Sequence, residues 1–138
     1  MRMRKFFYWI PTFVWMGVIF YFSSRQRLHV SDDLTVQFVF FKTLHMLEYG
    51  LLYVLLYRSL RNTTKRPDWQ NRVDALLLAI FYGMIDEVHQ VFVPTREGRL
   101  RDVVIDSMGI SITALYIWKY LPEAPKRLKN WAKKLQIY

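Results

Sequence analysis

The sequence predicts an all-α protein: an integral membrane bundle of four transmembrane helices with a basic amphipathic C-terminal tail. Three observations predict it. Apolar residues make up 53% of the 138 and aromatic residues 17%, yet mean hydropathy is only +0.05, because long apolar runs alternate with short basic connections. The lysines and arginines flank those runs, as they do where loops meet a membrane surface. The polar residues inside the runs recur at spacings of three and four, which is one face of a helix. The length suits a single domain, with the bundle at residues 1–121 and the tail at 122–138. A net charge of +9 raises nucleic acid as a partner. No basic stretch carries a nucleic-acid motif, however, so the expected partner is the lipid bilayer. The absence of cysteine excludes disulfides, thiolate catalysis and Cys-ligated zinc.

Phe6 to Phe22 runs seventeen residues without a charge, after Arg2, Arg4 and Lys5. A basic start before an apolar run also describes a signal peptide. No small-residue cleavage site follows, so a retained helix is expected at about 5–24, with Pro11 in its first two turns. Ser31-Asp32-Asp33 reads as a Ser N-cap with acids in the first turn, opening a second helix at about 31–60. Its spanning part carries Lys42, His45, Glu48 and Tyr49 on one face. A basic loop with Pro67 as breaker precedes a third helix at about 73–93, ended by Pro94. On that helix Asp86, His89 and Gln90 share a face, and Glu87 lies one step around. A fourth helix at about 102–120 aligns Asp102, Asp106, Gly109 and Thr113. In the tail Leu128, Trp131 and Leu135 alternate with lysines and an arginine, a pattern suited to lying on an anionic membrane face.

Four spans put the N-terminus, the connection around residue 65 and the tail on one side, with fourteen Lys and Arg against six on the other. The positive-inside rule then places both termini of a multi-pass protein in the cytoplasm. The polar groups concentrate in the outer leaflet, where Asp86 and His45 each lie about 10 Å in from the outer end of their spans. Ionisable groups at that depth are costly and need partners or a role.

Three stretches then stand out together: Lys42-Thr-Leu-His45-Met-Leu-Glu48-Tyr49-Gly50, Asp86-Glu87-Val-His89-Gln90-Val-Phe92-Val-Pro94-Thr-Arg96, and Arg101-Asp102-Val-Val-Ile-Asp106-Ser-Met-Gly109. In this order they resemble the H-x-x-E-Y, D-E-x-x-Q-x-F-x-P-x-R and D-x-x-x-N-x-x-G elements of the VanZ-like family of small bacterial membrane proteins. The resemblance covers about residues 19–117. Asp106 stands where the family more often has Asn, and Thr95 where Gly is common. The resemblance implies an α-helical membrane protein and a role in the cell envelope, including low-level resistance to the glycopeptide antibiotic teicoplanin more than to vancomycin. It does not supply a reaction.

The residues themselves support several roles for the cluster. It can be a self-satisfied network that locks the second, third and fourth helices. It can bind an anionic lipid or a lipid-linked cell-wall precursor, with Arg96, Arg99 and Arg101 beside a helix N-terminus holding phosphate or carboxylate. It can act on a lipid headgroup as a hydrolase or transferase. The candidate catalytic residues are then His45, Glu48, Asp86 and Glu87, with His45 as proton shuttle oriented by Asp102 or Glu48. Gln90, Arg96, Arg101, Asp102 and Asp106 are the candidate binding residues. His89 reads as packing. Ligand types for a divalent ion are present among His45, Glu48, Asp86, His89 and Asp102, but without a compact motif such as H-E-x-x-H, so no metal or other cofactor is expected. A non-catalytic protein that alters access to the cell-wall precursor fits the same residues.

Overall fold

The apolar runs fold as helices whose polar stripes turn inward. A computed structural model describes residues 2–25, 32–94, 96 and 98–138, with side chains from residue 5 onward. The ordered elements among them are α1 (Arg2–Ser23), α2 (Leu34–Thr63), α3 (Asp68–Gln90), α4 (Leu100–Leu115), a π-helical turn (Tyr116–Tyr120), a 3₁₀ turn (Leu121–Glu123) and α5 (Lys126–Lys134). All of these are helical, as the sequence predicts. Two helices, Lys5–Ser23 and Leu34–Thr63, are long and apolar enough to cross a membrane.

Several boundaries differ from the sequence reading, each for a local reason. α1 starts at Arg2, so Pro11 falls in the third turn, and the helix continues through it. Asp33 caps α2, its Oδ1 accepting from the amides of Thr35 and Val36 at 2.7 and 3.3 Å; Ser31, the expected cap, lies outside the described residues. α3 begins five residues earlier than expected, directly after Pro67, whose φ of −54° suits a helix entry. Its first turn is held by Arg72 Nη2 to Asp68 Oδ2 at 2.6 Å, an i,i+4 pair that neutralises what reads in sequence as a basic loop. At the other end of the chain, α4 passes into the π turn without a break and α5 folds back.

α2 runs through the centre of the bundle. Tyr49, Tyr53 and Tyr57 descend it at i,i+4 spacing and are fully buried. Each phenol finds a partner: Asp86 for Tyr49, the Trp118 indole N–H at 2.7 Å for Tyr53, and Asp68 for Tyr57. The bulk is accommodated by small residues on α3, where Ala75, Ala79 and Gly83 are buried opposite. A Cβ at Gly83 would lie 3.4 Å from the Tyr49 ring. α2 and α4 run parallel and almost touch, since a Cβ at Gly109 would sit 2.5 Å from the Met46 carbonyl oxygen. α1 is pinned to α2 by Thr12 and Ser59 hydroxyls 2.8 Å apart and by Trp15 Nε1 donating to the Glu48 carbonyl at 3.0 Å.

The ends of the bundle are chemically distinct. Lys5 Nζ donates to the Thr63 carbonyl at 2.7 Å. Arg58 donates to the Leu135 carbonyl at 3.1 Å, so the start of α1, the end of α2 and the segment after α5 share one basic end. The opposite end gathers Arg25, Asp33, Arg96 and the start of α4. Between them the outer surface is apolar, with Phe13, Leu47, Phe81, Val88, Val104 and Ile112 all exposed. The interior holds Lys42, Asp86, Glu87, Gln90, Asp102 and Asp106. Polar inside and apolar outside is the distribution suited to lipid and opposed to that of a water-soluble bundle.

Two glycines separate packing from mere composition. Gly109→Ala drives a methyl into the backbone of α2 and is expected to lower stability by about 1–3 kcal/mol. Gly17→Ala, with nothing within 4 Å of the added carbon, is expected to leave thermal unfolding in detergent micelles unchanged or slightly raised.

Candidate functional site

The inward stripes of α2, α3 and α4 meet near the Arg96 end and divide there into two groups. Between the parallel helices α2 and α4, matching residues pair turn by turn. Lys42 Nζ lies 2.8 Å from Asp102 Oδ2, with both side chains buried. Arg101 Nε stands 3.5 Å from Asp102 Oδ1, and its guanidinium lies over the Phe38 ring at 4.8 Å. One turn further in, His45 Nδ1 is 3.5 Å from Asp106 Oδ1. That approach does not meet hydrogen-bond geometry, so His45 Nδ1 and both Asp106 oxygens are buried without a hydrogen-bond partner among the described residues.

Between α2 and α3 the centre is Asp86, only 3% exposed. Its Oδ2 accepts from the Tyr49 hydroxyl at 2.8 Å and from Gln90 Nε2, one turn on, at 2.8 Å. Its Oδ1 has no hydrogen-bond partner among the described residues. Glu87, one step around α3, faces α4 instead and accepts the Arg99 amide at 2.6 Å. It thereby caps the N-terminus of α4 with a carboxylate from another helix, where the helix dipole favours negative charge.

A cavity of about 420 Å³ opens between α1, α2 and α3. Its walls are Ile19, Phe22, Phe40, Phe41 and Leu44. Phe22, Phe40 and Leu44 are exposed as well as lining it, so the cavity is open where α1 and α2 face each other. The helix directions order the polar lining by depth. Glu48 lies eight residues, or about 12 Å, further in along α2 than Phe40, and His45 and Asp86 flank it. Arg25 and Arg96 stand at the outer rim. Arg96 donates to the carbonyls of Arg25 and Phe22 at 3.1 and 3.2 Å, strapping the end of α1. Ser24 Oγ lies 3.0 Å from His89 Nε2, and Phe20 packs on the imidazole at 4.5 Å, the packing role that its position suggests.

Of the residues singled out in the sequence, His45, Glu48, Asp86 and Arg96 share this cavity, and Gln90 orients Asp86 from behind. Glu87, Arg101, Asp102 and Asp106 are not among its lining residues. Asp102 is engaged by Lys42, and the acid beside His45 Nδ1 is Asp106, at 3.5 Å and outside hydrogen-bond geometry. Glu87 does not stand beside His45 either, being turned toward the start of α4. Ser23 and Arg25, at the outer end of the first helix in the sequence reading but not among its candidate catalytic or binding residues, line the cavity too, and so does the aromatic wall of Phe22, Phe40 and Phe41, which sequence reasoning passed over. The pair Phe40-Phe41 next to Lys42 was a signal of bulk at the outer end, but an all-apolar stretch does not reveal which side faces a cavity. Among the described residues no three His, Asp or Glu side chains converge to hold a metal ion.

A family model, VanZ/LLP1, matches residues 6–121, from the first turns of α1 to the start of the 3₁₀ turn, and so includes every residue lining the cavity. No curated protein and no solved structure matches the chain.

The Lys42–Asp102 pair gives a test of which charges are structural. Lys42→Met leaves Asp102 buried with only the more distant Arg101, and is expected to cost about 3 kcal/mol in unfolding from micelles. The double variant Lys42→Met/Asp102→Leu is expected to recover most of that loss, because it removes both buried charges together.

Proposed function

The chain belongs to the VanZ/LLP1 family, and from that premise we propose that it modulates the bacterial cell envelope by engaging a phosphate-bearing lipid or lipid-linked cell-wall precursor in the α1–α2–α3 cavity. It does so as a four-span protein of the cytoplasmic membrane, 1–121 forming the membrane domain and 122–138 a cytoplasmic tail. The single observation that carries the proposal is the cavity itself. It has a lateral apolar mouth, aromatic walls, ionisable groups on its floor and two arginines at its rim. A water-soluble ligand needs no side entrance lined by Phe22, Phe40 and Leu44, whereas an acyl or prenyl chain does.

The topology draws support from several sides. α1 and α2 pass the length and hydropathy requirement for a span. α3 and α4 present exposed Leu77, Phe81, Met84 and Val88, and Val104, Met108, Ile112 and Leu115, as continuous outward stripes. α4 and the two turns after it continue as helical chain from Leu100 to Glu123, about 36 Å at α-helical rise, enough to cross the hydrocarbon. The end holding Lys5, Arg58 and α5 is the arginine- and lysine-rich one, which favours the cytoplasm and leaves the cavity in the outer leaflet. In the family, that location accords with altered response to teicoplanin.

A second reading, a hydrolase or transferase acting on the same headgroup, draws on one feature. The imidazole of His45 lines the cavity with Asp106 behind its Nδ1. An acid behind an imidazole is the arrangement by which a general base is oriented.

Two measurements test these readings. Reporter fusions after Tyr138 and within residues 61–66 are expected to report cytoplasmic locations, and one within residues 96–99 an external one. Teicoplanin and vancomycin susceptibility are then compared in a Gram-positive host at matched membrane levels of protein. Wild type is expected to protect selectively against teicoplanin, and Leu44→Trp, which fills the mouth, to abolish protection. Protection that survives Leu44→Trp removes the cavity from the mechanism. Loss in His45→Gln with lipid binding intact favours the catalytic reading.

A further inference from the structure

The cavity carries two kinds of charge at two depths, and that layout selects among amphiphiles. On its floor are the carboxylates of Glu48 and Asp86; at its rim are the guanidiniums of Arg25 and Arg96. Asp86 is 3% exposed, lines the cavity, and leaves Oδ1 without a hydrogen-bond partner while Oδ2 takes two donors. Ser23 Oγ, in the same lining, is likewise without one. A buried carboxylate oxygen in that state is short of a donor.

Resting on the reading that the cavity admits a phosphate-bearing amphiphile, we propose that its ligand carries a primary ammonium close to the phosphate, with the ammonium at Glu48 and Asp86 and the phosphate at Arg25 and Arg96. A purely anionic headgroup pairs the arginines but leaves two carboxylates facing a desolvated cavity. A purely cationic one meets two guanidiniums of its own sign at the rim. A zwitterion pairs both, which low-dielectric surroundings reward. The orphaned Asp86 Oδ1 calls for an N–H donor, so a primary amine is preferred over a quaternary one, which offers charge without a hydrogen bond. The walls formed by Phe22, Phe40, Phe41 and Leu44 take the chain. The same headgroup chemistry exists on a membrane lipid and on a soluble aminoalkyl phosphate, and the aromatic walls favour the lipid.

The full-length protein in detergent micelles is titrated calorimetrically with dihexanoyl phosphatidylethanolamine, the phosphatidylglycerol and phosphatidylcholine of the same chains, and chain-free phosphoethanolamine. The ethanolamine lipid is expected to bind about tenfold more tightly than either other lipid, equivalent to about 1.4 kcal/mol, and phosphoethanolamine more weakly still. Glu48→Gln, close in size and half-buried, is expected to bring the ethanolamine and glycerol lipids within about twofold of each other, and Arg25→Ala to weaken both together. Equal binding of the three lipids by wild type, or a preference retained in Glu48→Gln, overturns the ammonium assignment while leaving the cavity as a lipid site. Phosphoethanolamine binding as tightly as the lipid overturns the amphiphile assignment. Lipid binding that is absent, or unaffected by Leu44→Trp, overturns the lipid cavity itself and the assignment with it.

Discussion

A carboxylate buried in an apolar bundle is tolerated only with donors at hand, and Asp86 has two on one oxygen, the Tyr49 hydroxyl and the Gln90 amide. Gln90 comes from the next turn of α3, so the carboxylate is oriented by its own helix before α2 arrives. Tyr49 can then reach it only with its ring flat over Gly83, which fixes the rotation of α2 against α3. That rotation propagates in both directions. Inward, Tyr53 and Tyr57 follow on the same face, buried and stacked on each other, and the Tyr57 hydroxyl reaches Asp68 at the start of α3. Outward, it turns Glu48 toward α1 and Lys42 and His45 toward α4. One hydrogen bond between buried side chains therefore sets which acids face the cavity and which face a partner helix.

The cavity follows from unequal helix spacing. α2 and α4 approach until glycine and Thr113 side-chain atoms are nearly in contact with the opposing backbone, and α3 closes on the tyrosine ladder through alanines and a glycine. α1 has no comparable stripe of small residues. It is held by hydrogen bonds along its inner part, from Thr12, Trp15 and the Tyr82 hydroxyl donating to Met16. Beyond Ile19 its Phe22 walls the cavity, while Phe20 and Ser24 hold α1 to His89 of α3 and Arg96 holds the Arg25 carbonyl. An opening walled by aromatic rings is what remains between those two zones of contact.

Much of this was legible in the sequence. Helix number, the inward face of each helix and the gathering of polar groups at one end all follow from spacings of three and four and from the placement of lysine and arginine. His45 and Asp86, placed at one depth by the rise along their helices, line one cavity with Glu48 and Arg96. The pairing did not. Periodicity gives the face of a helix but not its rotation or axial position against a neighbour, so nothing local distinguishes Asp102 from Asp106 as the partner of His45. Glu87 was misplaced for the same reason: a single residue step around α3 turns it from the cavity to the Arg99 amide. The start of α3 was read late because Arg72 counted as a loop charge, whereas Asp68 pairs with it inside the first turn. Phe22, Phe40 and Phe41 could not be told from lipid-facing residues, since both surroundings are apolar.

The charges of the cavity differ in how firmly they are held. Glu48 and Asp86 stand on helices, and Asp86 is fixed by two donors, so their positions are set before any ligand arrives. Arg25 and Arg96 stand on the chain that joins the helices, Arg96 on the carbonyls of Arg25 and Phe22 and Arg25 against Tyr21, with guanidiniums at the end of long side chains rather than on a helix-borne carboxylate. On the proposed reading, a ligand entering between α1 and α2 meets the rim arginines and the aromatic walls together, and the helix-borne carboxylates last. Attraction at the rim is open to any phosphate on a chain, because a guanidinium accepts phosphate in many poses. Discrimination can arise only where the geometry does not yield, which is at the floor. Selectivity on this arrangement is therefore a property of α2 and α3, set by the same Tyr49–Asp86 contact that holds them in register, while affinity is shared with the segments outside.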